Sequence, residues 1–224
     1  MPMNTKLILN FLSKLSKNNN SAWMAEHKNE CDIAKKEFYN LVEELIQRMY
    51  SIDSTLQNIA TKDCIFRLNR DVRFSANKSP YKEFMGAYIV NGGRKAERAG
   101  YYIHLQPNGQ SFLGVGFYMP SAEKLNLIRQ GISETGDELL EIINATSFKS
   151  TFGEFGSEKL KKAPRNFSPD DKFIEFIKLK NFDVMSFHYK DNFVSDSKKF
   201  LDDVINKFAI AMPLNNYLND VAQV

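Results

Sequence analysis

The chain has 224 residues, of which 43% are hydrophobic and 12% aromatic, and its formal charge is +3 at pH 7. This composition suits one folded domain and excludes wholesale disorder, while so small a net charge does not by itself indicate a nucleic-acid-binding protein. Cys31 and Cys64 form no CxxC pair, so neither a structural zinc site nor a disulfide framework has support. The first residues are amphipathic and no window is long and apolar enough to cross a membrane. We therefore predict a soluble, cytoplasmic protein without membrane attachment.

The N-terminal part is predicted to be helical. Apolar residues recur at helical spacing across Thr5–Lys17. A second helix, with Ser21 as its N-cap, is predicted to run with a break to about Tyr50. A short third helix is expected around Ser54–Ala60.

The middle of the chain changes to strand patterns. The predicted strands are Cys64–Phe74, Phe84–Asn91, Gly100–Gln106 and Gln110–Tyr118. In Gln106–Gln110, proline and asparagine fit the two central positions of a type I turn, and glycine fits a left-handed bulge residue. This turn places His104 opposite Phe112, whereas a two-residue Asn-Gly turn would place His104 opposite Leu113.

The C-terminal part is predicted to be mixed. We expect a helix from Pro120-Ser121 to about Ala145, with a break near Gly131 and Gly136, followed by an irregular stretch at 153–170. A short helix at Asp171–Lys180, a strand at Val184–Tyr189 and a last helix at Ser195–Leu218 are expected after it. Together the elements indicate an α+β fold, with a mainly antiparallel sheet of about four to six strands centred on residues 64–118 and helices from all three parts packed on it. We predict a single domain over residues 1–224, helical at about 5–60, with its sheet core at about 62–120 and a mixed helical part at about 121–220.

Positive charge is concentrated in one segment. Residues 61–98 hold nine Lys or Arg against four Asp or Glu, whereas the rest of the chain is slightly acidic. In an extended Cys64–Phe74, Arg70 shares a face with apolar side chains, which predicts either a buried carboxylate partner or a break in the strand near Asn69-Arg70. Arg67 and Arg73 flank Asp71 on the other face, as an ion network or as part of a ligand site.

The loop that follows offers donors for an anion. Lys78, Ser79 and Lys82 suit phosphate or carboxylate, although the glycines of a Walker loop are absent. Arg94 is expected to be exposed after a tight turn.

The hairpin is predicted to add a shallow floor. One face carries Tyr102, His104 and Gln106 together with Phe112, Gly114 and Gly116. The two glycines leave space for a ligand or for a packed ring. His104 is either an acid–base group, and thus a candidate catalytic residue, or a packed histidine with satisfied hydrogen bonds. With three histidines and no nucleophile motif, neither a metal nor a cofactor is predicted.

Four segments carry a family resemblance: NNNSAWMAEHK (Asn18–Lys28), FRLNRDVRFSANKSPYKEFMGA (Phe66–Ala87), AGYYIHLQPNGQSFLGVGFYMP (Ala99–Pro120) and LKKAPRNF (Leu160–Phe167). They resemble the conserved hypothetical proteins catalogued as domain of unknown function twenty-four sixty-one. The resemblance covers nearly the whole chain and implies one full-length domain of a cytosolic protein. It implies no activity and no catalytic residues.

Three functions remain open on this basis. The first is binding of, or catalysis on, a small phosphate- or carboxylate-bearing ligand by Arg67, Arg70, Arg73, Lys78, Ser79, Lys82, Arg94, Tyr102 and His104. The second is an interaction or scaffold protein whose arginines are structural. The third is single-stranded nucleic-acid binding, with Tyr101, Tyr102, Phe112 or Tyr118 stacking on bases. The sequence indicates no oligomeric state.

Overall fold

The computed structural model describes residues 3–156 and 158–224. These residues form helices and one antiparallel four-stranded sheet, which confirms the predicted α+β class at the low end of the predicted strand number. The helices are α1 (Thr5–Lys17), α2 (Ser21–Glu26), α3 (Lys28–Tyr50), α4 (Thr61–Cys64), α5 (Ala122–Asn144), α6 (Thr146–Phe152), α7 (Ile174–Ile177), α8 (Asp191–Ser195) and α9 (Ser197–Val221), with a 3-10 turn at Ser54–Leu56. The strands are β1 (Met85–Ile89), β2 (Gly100–Leu105), β3 (Phe112–Phe117) and β4 (Phe182–Met185).

The strands follow one another in the sheet in chain order, β1-β2-β3-β4. No helix in the described part of the chain combines the length and the apolar character that crossing a membrane requires. The described residues form two compact units. The first comprises Met1–Arg94, Tyr102–Leu113 and His188–Asn206, and the second comprises Lys95–Tyr101, Gly114–Phe187 and Lys207–Val224.

The core of the first unit is built on α1 and α3. Each helix buries one apolar stripe at helical spacing, because the opposite face carries the polar residues. The fully covered side chains of these two stripes include Ile8, Phe11, Leu12, Leu15, Phe38, Leu41 and Leu45. Thr5 also joins α1 to the C-terminal part of the unit, because its hydroxyl donates to the Val194 carbonyl and its amide donates to Ser197 Oγ at 3.0 Å.

The core of the second unit surrounds α5 and the second half of α9. Tyr101 is 1% exposed, and its ring centroid lies 5.0 Å from that of Phe208. Its burial contradicts the prediction that Tyr101 stacks on nucleic-acid bases. The predicted break in α5 occurs at Thr135, which has non-helical backbone angles, beside Gly136 where the Phe173 ring packs against the helix.

The predicted boundaries of α1 are confirmed, and those of the next helix need one correction. The N-cap of α2 is Asn20, whose side-chain oxygen accepts from the Trp23 amide at 2.9 Å, so Ser21 is the first helical residue. Asparagine is as good an N-cap as serine, and the sequence offered both. The predicted break in the second helix lies at His27, between α2 and α3.

The predicted strand Cys64–Phe74 is wrong. Cys64 ends α4, and the following residues pair only at two isolated antiparallel bridges, Ile65↔Ala87 and Asn69↔Tyr81. The last backbone bond of this ribbon runs from the Arg70 amide to the Pro80 carbonyl at 2.9 Å. Residues 65–84 therefore form an irregular antiparallel ribbon, here called the basic arm, which ends in the arm loop (residues 71–79). Alternation of faces stops where the ribbon stops.

The hairpin turn also differs from its predicted type. Asn108 has φ 65° and Gly109 has φ 71°, so both are left-handed, whereas the second central residue of a type I turn has a negative φ. The carboxylate of Asp191 accepts hydrogen bonds from the amides of both residues, each at 2.8 Å. His104 nevertheless shares a face with Phe112, because their rings stack with centroids 4.5 Å apart.

Two C-terminal elements differ from prediction. The strand predicted at Val184–Tyr189 starts earlier, as β4 (Phe182–Met185), because Phe182 pairs with Phe117 at the end of β3. The helix α6 was not predicted; it buries Phe148 and Phe152, one turn apart, with ring centroids separated by 5.2 Å.

Candidate functional site

Four rings form a continuous row in the first unit, here called the ring row. Phe84 precedes β1, His104 lies on β2, Phe112 begins β3 and His188 follows β4. Successive ring centroids are 4.3 Å, 4.5 Å and 5.8 Å apart. The row runs from half-buried Phe84 through buried His104 to exposed His188, so one end of it is open to solvent.

His104 is fixed in this row by hydrogen bonds at both ring nitrogens. Nδ1 lies 3.0 Å from the Tyr102 hydroxyl and Nε2 lies 2.9 Å from the Gln106 side-chain oxygen. An amide oxygen only accepts, so Nε2 carries the proton and the Tyr102 hydroxyl donates to Nδ1. Burial lowers the pKa of His104, and burial raises the pKa of Tyr102 to about 12. This geometry favours the packed interpretation of His104, because proton exchange with a ligand would break one of these bonds.

Lys82 lies beside the ring row. Its ammonium nitrogen lies 5.4 Å from the Phe66 ring centroid and 5.6 Å from the Phe84 ring centroid, within cation–π range of both. Lys82 forms no salt bridge among the residues that the structure describes. Burial lowers its pKa, and the positive charges of Arg67 and Arg94 lower that pKa further. The side chain is thus a half-buried cation close to other cations.

The two arginines that act on Lys82 differ in their own contacts. Arg67 is exposed, and its charge also lowers the pKa of Asp71. Arg94 donates from one guanidinium nitrogen to the carbonyls of Lys62 and Asp63, at 3.3 Å and 2.8 Å. Arg94 therefore caps α4 and is half-buried, which corrects the expectation that it is exposed.

Arg70 and Arg73 turn to partners inside the basic arm. Arg70 is half-buried and donates to Ser75 Oγ at 3.3 Å. Among the described residues it has no buried carboxylate partner, so of the two predicted alternatives the break in the strand is the correct one. Arg73 forms a two-bond ion pair with Asp71, at 3.0 Å and 2.7 Å, and its side chain is 75% exposed. Hydrogen bonding from Arg73 is the main reason that the pKa of Asp71 lies below its usual value.

The remaining predicted donors also make contacts within the arm loop. Lys78 Nζ donates to the Val72 carbonyl at 3.0 Å, and the Ser79 amide donates to Asn77 Oδ1 at 2.9 Å. The structure thus brings Lys82 together with Tyr102 and His104 around the rings. It gives Arg70, Arg73, Lys78 and Ser79 other contacts, in the arm.

Gly116 has a different role from the predicted floor. A Cβ on Gly116, whose φ is 107°, would collide with the Phe182 carbonyl oxygen and approach Asp183 Cα to 2.8 Å. Glycine is therefore required there by close approach of the β4 backbone. In the first unit the glycine beside the site is Gly86, and the hydroxyl of Tyr102 already occupies the space above it, 2.6 Å from where a Cβ would lie.

Neither thiol offers a nucleophile. Cys31 and Cys64 are both buried, and burial raises the pKa of Cys31 and raises that of Cys64 to about 11. A thiol attacks as its thiolate, so both side chains act as small apolar core residues.

One carboxyl in the second unit was not identified from the sequence. Asp183 lies on β4 opposite Gly116, and burial raises its pKa to about 6, with a smaller contribution from the charge of Glu158. Alternation of buried Phe182 and Val184 with exposed Met185 places Asp183 on the more open face of the strand. The strand predicted at Val184–Tyr189 leaves out Asp183, so only the correct strand position would have indicated this carboxyl.

The raised pKa of Asp183 predicts a pH-dependent stability. Its folded-state pKa exceeds the ordinary value of 3.8, so the group favours folding when protonated, and this contribution is lost as pH rises through about 6. We expect Asp183→Asn to raise the free energy of unfolding at pH 8 by about 1–2 kcal/mol, after allowance for partial exposure, and to leave it unchanged near pH 4. Thermal melts of both proteins at the two pH values check this, and an equal effect at both would contradict it.

Comparison with known proteins places the chain in a family. No curated protein and no solved structure shows significant similarity to it. The sequence model of the conserved hypothetical proteins DUF2461 matches residues 7–217, which is nearly the entire chain and includes the basic arm, the hairpin and the ring row. The chain therefore belongs to the DUF2461 family of conserved hypothetical proteins.

Proposed function

We propose that the protein binds a small anionic ligand, carrying a phosphate or a carboxylate, at Lys82 beside the ring row. The observation that carries the proposal is the ammonium of Lys82 between Phe66 and Phe84, without a carboxylate partner among the described residues. A half-buried cation costs desolvation free energy unless an opposite charge compensates it. A bound anion supplies that charge.

Electrostatics favours an anion at this position. Arg67 and Arg94 both disfavour the charged form of Lys82, so positive potential accumulates around its nitrogen. An anion that reaches Lys82 would interact favourably with all three cations, and its binding would raise the pKa of Lys82. Arg67, which is exposed, is the arginine best able to contact the ligand directly.

The rings indicate the shape of the rest of the ligand. The Phe66 and Tyr102 rings meet edge to face at 6.2 Å beside Lys82. Small-molecule sites are mostly apolar, with few polar groups that fix orientation. We therefore expect a ligand with an apolar or planar body next to its anionic group. His104 holds Tyr102 in place, and Arg94 holds α4, so these two residues position the site.

A screen of anions tests the proposal. Purified protein is titrated with phosphate, sulfate, dicarboxylates, sugar phosphates and aromatic carboxylates at two salt concentrations, and melting temperature and binding heat are measured. We expect at least one anion to bind, with Lys82→Met weakening its affinity about tenfold or more, because loss of a charge-assisted contact typically costs over 1.4 kcal/mol. Methionine keeps the unbranched stem between the two rings.

Two variants serve as controls. Lys161→Met removes an exposed lysine from the second unit and is expected to bind as wild type does. Arg73→Ala is also expected to bind normally, because Arg73 pairs with Asp71 in the arm loop. Failure of every anion to bind, or equal affinity for wild type and Lys82→Met, would reject the proposal.

A further inference from the structure

We propose that the arm loop binds single-stranded nucleic acid by stacking a base on Phe74. The side chain of Phe74 is 96% exposed, the most exposed of the chain's large hydrophobic side chains in the described part. The guanidinium carbon of Arg73 lies 5.8 Å from its ring centroid. The loop thus presents an aromatic ring next to a cation.

The exposure of Phe74 does not result from a general lack of cover in the basic arm. Leu68 is only 8% exposed, and Phe66 and Phe84 are half-buried. The chain covers these three at least in part and leaves Phe74 in solvent, so Phe74 contributes almost no hydrophobic free energy to folding. An exposed aromatic ring next to a cation is the arrangement on which the bases of a single strand stack.

The arm loop is held in shape by its own side chains. Lys78 Nζ bonds to the Val72 carbonyl, and Asn77 Oδ1 accepts from the Ser79 amide. The Ser75 amide donates back to the Val72 carbonyl at 3.4 Å. A loop that is already ordered loses less conformational entropy when it binds, which favours affinity.

The charge around Phe74 suits a polyanion. Arg67, Arg73 and Lys78 are exposed on the basic arm, and the one acid exposed beside them is Asp71. The Arg73–Asp71 pair is solvent-exposed, so its ion pair contributes little and a phosphate can replace Asp71 as the partner. Phosphates on either side of a stacked base would lie within reach of these cations.

A single ring favours nucleic acid over a membrane surface. The other large hydrophobic side chains of the basic arm are buried or half-buried, so one Phe is the whole exposed apolar contact. Membrane anchoring needs a larger apolar face or a second signal. One base needs one aromatic face, and alanine substitution of such a ring costs about 1–3 kcal/mol, which is roughly a fivefold to 150-fold loss of affinity.

Fluorescence anisotropy with a labelled short single-stranded RNA tests the proposal. We expect wild type to bind, Phe74→Tyr to bind similarly and Phe74→Ala to bind about tenfold more weakly. Phe187→Ala is the matched control, because Phe187 is 69% exposed outside the arm and is expected to have no effect. Lys78→Gln should reduce the slope of log affinity against log salt by about 0.7, the value for one phosphate contact on a single strand.

Three results would overturn the proposal: no RNA binding at low salt, equal affinity for wild type and Phe74→Ala, or equal losses in Phe74→Ala and Phe187→Ala. Stronger sedimentation with phosphatidylserine vesicles than with RNA, lost in Phe74→Ala, would assign the loop to a membrane instead. Lys82→Met is expected to leave RNA affinity unchanged, and Phe74→Ala to leave small-anion affinity unchanged. The two sites can therefore fail or succeed separately.

Discussion

Gly116→Ala is expected to lower the free energy of unfolding by about 3 kcal/mol. Its φ of 107° is strained for any residue with a side chain, and the added methyl would meet the Phe182 carbonyl oxygen and Asp183 Cα. Both obstacles belong to the β4 backbone, so no side-chain rotation relieves the collision. β3 and β4 would have to separate at Gly116↔Asp183.

Urea unfolding of wild type and variant measures this loss. Gly153→Ala is the matched control, because Gly153 is also left-handed, with φ 74°, but has no atom within 4 Å of the added methyl. We expect that control to cost less, about 1–2 kcal/mol, because only the conformational strain at φ 74° and ψ −141° opposes the added methyl group. Similar losses in the two variants would show that the close approach of β4 is not what requires Gly116.

His104→Ala is the second variant with a large expected effect, about 3 kcal/mol or more. It removes the ring between Phe84 and Phe112 and leaves Tyr102 and Gln106 without their partner. His104→Phe keeps a ring in the row and loses only the hydrogen bonds, so it should cost less. Equal losses for both variants would show that stacking contributes nothing.

The pH dependence gives a second measure of the same residue. Burial lowers the folded-state pKa of His104 below its ordinary value of 6.5, so the unfolded chain takes up a proton first as pH falls. The contribution of His104 to stability is therefore complete above pH 6.5 and declines as pH falls below it. In a comparison of melting temperatures at pH 7.5 and pH 5.5, wild type should lose more than His104→Phe. An equal loss would place the titrating group elsewhere.

Periodicity predicted the elements in which local pattern and burial agree. α1 was predicted to the residue because its apolar stripe is the one that packs in the core. Cys64–Phe74 has the pattern of a strand, but its pairing with Tyr81–Ala87 ends after Arg70. The only local sign of this break is Arg70 itself, whose position on an apolar face also allowed a buried carboxylate partner. In an extended strand Phe74 would share the apolar face of Arg70, whereas in the structure it is almost fully exposed.

The candidate site was predicted in its parts but not in its grouping. The sequence identified Lys82 as a hydrogen-bond donor for an anion and His104 as part of a face that also carries Tyr102 and Phe112. Pairing of the Lys82 amide with the Leu68 carbonyl, at 2.8 Å, is what brings Lys82 between Phe66 and Phe84. The prediction of the turn type at Asn108 was wrong for a similar reason. The Asn108 amide donates to the carboxylate of Asp191, which lies 83 residues further along the chain.

The contacts of Asp191 and Thr5 determine when the first unit can complete folding. Asp191 fixes the β2–β3 turn, and Thr5 is joined to Val194 and Ser197 across 189 and 192 residues of sequence. Loop-closure entropy must be overcome before such non-local contacts stabilise the chain, which slows folding. On the ribosome, α1 and the hairpin must therefore wait until residues 191–197 have emerged before their positions are fixed.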